Sequence, residues 1–119
     1  MNVGFTKTFI AGGAVTKRRL VKFDGSGNVV QASAAADLLI GVSDSAGDVA
    51  ASGDRIDVLM GSQPEVEAGA AIAAGAPITS NANGKAVTAG VGEIAIGFAV
   101  EGADADGDII TIHYARHKA

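Results

Sequence analysis

Hydrophobic and polar residues alternate most cleanly in two short stretches, GDRIDVLM at residues 53–60 and GDIITIHY at residues 107–114. A period of two puts Ile56, Val58 and Met60 on one face of a strand, and Ile110, Ile112 and Tyr114 on the matching face of another. Those two faces are expected to meet in one core. The opposite faces differ, Arg55 and Leu59 against Ile109 and His113, as expected where only the core side is constrained.

The likeness runs along most of the chain. AGGAVTKRRLVKFDGSGNVVQASA from Ala11 lies over AGAAIAAGAPITSNANGKAVTAGV from Ala68 at a constant offset of 57. LLIGV at residues 38–42 lies over IAIGF at 94–98 at offset 56, and the two Gly-Asp strands align at offset 54. Each half holds the same parts in order: an apolar lead-in at Val15 or Ile72, a strand around Val21 or Ile78, a turn at Gly27 or Gly84, and a strand around Val30 or Val87. An Ile-Gly strand at Ile40 or Ile96, an acidic loop and the Gly-Asp strand follow. Asn83-Gly84 suits a type I′ hairpin turn, whose two central residues both need positive φ.

The expected fold is all-β, a small pseudo-twofold β-sandwich or barrel built from two duplicated halves. One domain covers 1–119, with repeat halves at 11–60 and 68–114 and an extended N-terminal arm at 1–10. The arm is expected to be separable from the body. Helical candidates at 33–39 and 66–75 are short or broken by Gly69 and Gly75, so at most one or two helical turns are expected.

Composition sharpens this picture. Val and Ile far outnumber Leu, Trp is absent, and 17 Gly are spread along the chain, a mixture that suits pleated strands and penalises helices. At 119 residues the chain accommodates one core. The absence of Cys removes disulfides, thiolate zinc sites and a Cys nucleophile. No apolar run approaches a membrane span and the N-terminus lacks a signal-peptide core, so a soluble, unexported protein is expected.

Charge is segregated. Residues 1–22 carry Lys7, Lys17, Arg18, Arg19 and Lys22 without an acid, the tail adds Arg116 and Lys118, and all 13 acids lie between. The basic ends can reach an acidic surface on a neighbouring subunit or other partner, with Phe5, Phe9 and Ile10 as apolar anchors, or can fold onto the chain's own body. Nucleic acid is a poor partner for a protein of pI near 4.9 whose basic cluster is three residues long with no interleaved aromatics.

Catalytic and ligand signatures occur only in fragments. Asp104, Asp106 and Asp108 match the first three ligand positions of a calcium loop, but Ile109 replaces its glycine and Ala115 its bidentate Glu. GVGEIA at 90–95 spells a dinucleotide fingerprint yet leads into a strand rather than a helix. GVSDS at 41–45 falls one Gly short of a nucleophile elbow, and Ala99 replaces Ser43 in the other half. His113 and His117 have no acidic neighbour in sequence. No enzyme, cofactor or metal site is therefore expected. Lys85, at a hairpin tip in a Gly-rich duplicated sequence, invites comparison with lipoyl and biotinyl carrier domains, but Gly84 precedes it and the usual flanking residues are absent.

The order of elements resembles the capsid decoration, or cement, proteins of tailed bacteriophages. The stretch AGGAVTKRRLVKFDGSGNVVQASAAADLLIGVSDSAGDVAASGDRIDVLMGS, followed by AGAPITSNANGKAVTAGVGEIAIGFAVEGADADGDIITIHYA, is similar to that family's duplicated layout. The second half keeps Gly75, Ala76 and Pro77 before its strand, where the first has Lys17, Arg18 and Arg19. The resemblance implies a structural virion protein, made in the host cytoplasm, that binds the outer capsid surface, bridges major capsid protein subunits and forms homo-oligomers, often trimers. Phe5, Lys7, Phe9, Ile10, Lys17, Arg18 and Arg19 are then the candidate capsid or subunit contacts. A β-domain of a phage tail or fibre, or of a bacterial surface assembly, is the alternative.

Overall fold

Alternation at residues 55–59 yields what its period predicts: Ile56 and Val58 are buried while Arg55 and Asp57 stay in water. The computed structural model describes residues 6–35, 37–44, 49–61 and 63–119, and among these there is no helix. The first sheet comprises β1 (Thr6–Ile10), β3 (Leu20–Phe23), β4 (Val29–Gln31), β5 (Leu39–Ser43) and β7 (Arg55–Leu59), in the order β1-β7-β5-β3-β4. A two-strand ribbon, β2 (Val15–Thr16) with β6 (Val49–Ala50), lies beside it. The second sheet comprises β8 (Glu65–Glu67), β9 (Pro77–Ser80), β10 (Ala86–Thr88), β11 (Ile94–Ala99) and β12 (Ile109–Lys118), in the order β10-β9-β11-β12-β8. All pairings between these strands are antiparallel, and the two sheets pack as a sandwich.

The two sheets share strand order and register. Val21 pairs with Gln31 as Ile78 pairs with Thr88, and Val21 with Gly41 as Ile78 with Gly97. Val42 pairs with Leu59 as Phe98 pairs with His113. Smaller features follow: the parallel bridge Ala11 to Val29 has its counterpart in Ala68 to Ala86, and the pair Val15 to Ala50 in Ile72 to Ala103. The correspondence also takes in the N-terminus. Phe9 faces Ile56 on β7 as Val66 faces Ile110 on β12, so β1 occupies in the first sheet the edge that β8 occupies in the second. From Thr6 on, the expected arm is a strand of the body, and the second of its expected modes, folding onto its own chain, describes residues 6–10. The side chains of TKTFI and EVE share almost nothing, which is why the sequence comparison begins only at Ala11 and Ala68.

The Gly-Asp openings have a local cause. Gly53 and Gly107 take φ of 93° and 97°, and the following carboxylates, Asp54 and Asp108, accept bonds from the amides of Ala51 (2.8 Å) and Ala105 (3.2 Å). Each tight turn thus satisfies itself. The Ile-Gly pairs mark close strand approach: a Cβ on Gly41 would meet the Leu59 carbonyl oxygen at 2.3 Å, and one on Gly97 the His113 oxygen at 1.9 Å. The type I′ expectation at Asn83-Gly84 fails. Only Gly84 takes positive φ, because the loop is one residue longer, with Asn81 accepting from the amides of Asn83 and Lys85.

The apolar faces do not meet in one core. Ile56 and Val58 bury in a first cluster with Val15, Val21, Val29 and Ile40, all from the first half. Ile110 and Ile112 bury in a second cluster with Val66, Ile78 and Ile96. Leu20, Ala32, Leu39 and Val42 of the first half join that second cluster. The cause lies in β3 and β5, which are covered on both faces. Val21 points into the first cluster and Leu20 into the second, and β5 is buried along its whole length. A bulge at Ile40, between the pairs Val21 to Gly41 and Lys22 to Leu39, lets Ile40 face the first cluster while Leu39 and Val42 face the second.

Candidate interaction surfaces

The basic cluster sits in the seam between the halves. Arg19 donates to Glu67 Oε1 from Nε (3.3 Å) and Nη2 (3.1 Å) and to the Asn83 carbonyl from Nη1 (2.8 Å), with only 14% of its side chain exposed. Arg18 pairs with Glu65 at 3.8 Å, and its carbonyl accepts from the Glu67 amide at 2.9 Å. Lys17, part-buried, precedes them. Further cross-seam bonds run from Leu20 N to Gly84 O (2.8 Å), Gln31 Nε2 to Asn83 O (2.7 Å) and Thr79 Oγ1 to Ala35 O (3.2 Å). Tyr114 Oη donates to Ile40 O at 3.5 Å and Arg116 Nη2 to Leu39 O, tying the last strand to β5.

Arg18 is the one non-glycine residue with positive φ (60°) among the described residues. Register places it opposite Gly75, whose φ is 85°. The first half thus puts a side chain where the second has glycine, in agreement with the sequence offset of 57 and one position along from the grouping of Lys17, Arg18 and Arg19 with Gly75, Ala76 and Pro77. A cleft of about 270 Å³ lies alongside, lined by Arg18, Ser43, Asp44, Leu59, Gln63 and Glu65 among others. Ser43 is buried there and committed, its hydroxyl donating to Thr16 O (2.6 Å) and accepting from Arg19 N (3.1 Å). Among the described residues no base neighbours it, and Gly41–Ser43 of the elbow-like stretch belong to β5.

The other fragments resolve similarly. Asp108 caps its own turn through the amides of Asp104 and Ala105, and Asp106 pairs with Lys85 at 2.8 Å. Lys85 also contacts Glu67 Oε2 at 3.3 Å and is 17% exposed. Hydrogen bonds to Asp106 and then Glu67 raise its pKa, so its ammonium is held in an ion pair rather than offered at a tip. Among the described residues no three His, Asp or Glu side chains gather as a metal site. His113 stacks against Phe98 at 5.1 Å, and His117 Nδ1 lies 2.7 Å from Ala115 O.

The remaining sequence candidates lie on or near the free edge of the first sheet. Lys7 lies 5.9 Å from the centre of the Phe9 ring, which meets Phe23 edge-on at 5.7 Å, and Ile10 is exposed. Phe5 lies outside the described residues. Sequence reasoning missed the apolar side chains that the second sheet leaves in water: Ile94, Phe98, Ile109 and, just past the end of β11, Val100. The signal was present in the mismatch of Arg55 with Ile109 on the outward face.

The profile of a phage cement protein family matches residues 4–114. Among solved structures the chain is similar to the head fiber gp8.5 N base of bacteriophage phi29, with a TM-score of 0.73 and 26% identity over 97% of each chain. No curated protein sequence matches.

Proposed function

Because the chain belongs to the phage cement protein family, and is thus a phage structural protein, we propose that it binds the outer surface of the capsid and stabilises the shell by bridging major capsid protein subunits. The match of that family over residues 4–114 carries the reading. The described side chains supply what such a role requires, exposed apolar groups on both sheets. Lys7, Phe9 and Ile10, with Phe5 before them, are the contacts we propose for capsid or neighbouring subunit. Lys17, Arg18 and Arg19 join them at the edge of the seam, Arg18 and Arg19 while also paired with Glu65 and Glu67 of the same chain. Self-association, as a trimer, belongs to the same reading.

A second reading, the base of a fibre on the phage head, is favoured by the likeness to the phi29 head fiber base. Cosedimentation with purified heads tests the first. Wild-type protein should pellet with expanded heads at a stoichiometry matching the capsid lattice, and Lys7→Glu combined with Ile10→Asp should pellet at least tenfold less. Copy numbers confined to a few sites per head, with unchanged pelleting of the variant, would support the fibre base instead.

A further inference from the structure

The two halves contact each other asymmetrically. The outward side of the first sheet, at Leu20 and Val42, closes over the end of the second sheet where Val66, Ser80 and Gly84 lie, and all of these are buried. Leu20 N to Gly84 O and Glu67 N to Arg18 O fasten that closure. A twofold axis would bury the counterparts in the same way. It does not.

The counterpart of Val42 is Phe98, and that of Leu20 is Pro77; Val42 is 0% exposed, Phe98 38%, and Pro77 is only part-buried. The counterparts of Val66, Ser80 and Gly84 are Phe9, Phe23 and Gly27. Val66 is 0% exposed and Ser80 1%, while Phe23 is 47% exposed, Phe9 is half-buried and Gly27 is in water. One complementary surface of each kind is therefore used within the chain, and one of each is left open. The open pair is the more aromatic, with Phe98 on one surface and Phe9 and Phe23 on the other.

We propose that the chain associates head to tail with a second copy of itself, the Phe98 and Pro77 side of one copy's second sheet closing over the Phe9 and Phe23 end of the next copy's first sheet. The contact repeats between molecules the packing that joins the halves within one. It is heterologous, so each copy uses both surfaces and the assembly closes as a ring where the rotation between lobes divides a full turn. Pro77 has no amide to stand for that of Leu20, so one of the two fastening backbone bonds is dropped. The amide of Ile10, counterpart of that of Glu67, is available for the other. The proposal rests on the self-association in the preceding reading and is independent of what shell the protein covers.

Sedimentation velocity of the full chain over a range of concentrations tests it with Phe98→Asp and Phe23→Asp. Each variant alone should be monomeric under conditions where the parent is oligomeric. Mixed, they should form a 1:1 dimer that does not grow, because one retains the sheet surface and the other the receiving end. A twofold-symmetric contact gives no such rescue. Far-UV circular dichroism checks the fold, and Phe98→Ser with Phe23→Ser replaces the pair if either Asp variant unfolds, Ser being the residue at the counterpart position 80. A monomeric parent, variants that assemble like the parent, or a mixture that stays monomeric overturns the proposal. A monomeric parent that still pellets with heads overturns this contact and leaves shell binding intact, and an oligomer that fails to pellet does the reverse.

Discussion

Arg18 holds a left-handed backbone, φ 60°, that costs an L-residue about 1–2 kcal/mol. Replacing it with Gly relieves that strain but adds about 0.5–1 kcal/mol of unfolded-chain freedom and removes a half-exposed pair with Glu65 worth about 0–1 kcal/mol. These nearly cancel. Arg18→Gly should therefore leave stability within about 1 kcal/mol of the parent in urea unfolding, whereas Arg18→Val, β-branched in the same backbone, should lower it by more than about 1 kcal/mol. A tolerated Val would mean that this backbone shape is not required. Asp37 sets a second limit. Burial pushes its carboxyl up, but the amides of Ser33 and Ala34 and the ammonium of Lys22 at 3.1 Å outweigh it, and the pKa is lowered. A depressed carboxyl stabilises above its unfolded pKa, and that stability is lost as pH falls through the folded one. Stability should accordingly decline below about pH 4, and Asp37→Asn should be less stable at neutral pH with a shallower acid limb. Equal acid slopes in the two proteins would exclude Asp37 as a contributor.

At the scale of elements, β1 shows where sequence reasoning stopped. Strands β3, β4, β5 and β7 and their counterparts β9 to β12 were legible because Val, Ile and Gly recur at offsets of 57, 56 and 54, and those residues report packing and turn geometry, whereas β6 falls within the stretch read as an acidic loop. β1 and β8 share a place through backbone pairing alone, since an edge strand is held by its ladder and one inward side chain, here Phe9 or Val66. Nothing else in TKTFI is constrained. The seam was illegible for a related reason: Arg19 with Glu67, and Tyr114 with Ile40, pair residues 48 and 74 apart, and no local pattern encodes them. The structure changes one expectation outright. Removing residues 1–10 takes away five residues paired to β7 and the Phe9 that packs on the first cluster, so the body should be destabilised by roughly 2–5 kcal/mol, the range for loss of a large core side chain. Thermal unfolding followed by circular dichroism measures this. An unchanged midpoint would show that β1 is dispensable, as the separable arm first expected from sequence.

Across the whole molecule, the question is whether two apolar clusters behave as one folding unit. The second cluster cannot close without the first half, because Leu20, Leu39 and Val42 form part of it. The first cluster depends on the second half only indirectly, through β3 and β5, whose other faces that half covers. Loss of the second half would put those three side chains into water at about 1.5–3 kcal/mol each, comparable to the whole margin of a small domain. The halves should therefore unfold together. Tyr114, the one Tyr in a chain without Trp, lies at the seam of the second half and reports its packing, while circular dichroism reports both sheets. In urea the two transitions should coincide, and Leu20→Ala should shift both by about 2–5 kcal/mol although Leu20 lies in the first half. Separate transitions, or a Leu20→Ala effect confined to the circular dichroism signal, would show two independent lobes and would remove the physical basis for treating the packing between halves as a template for contact between copies.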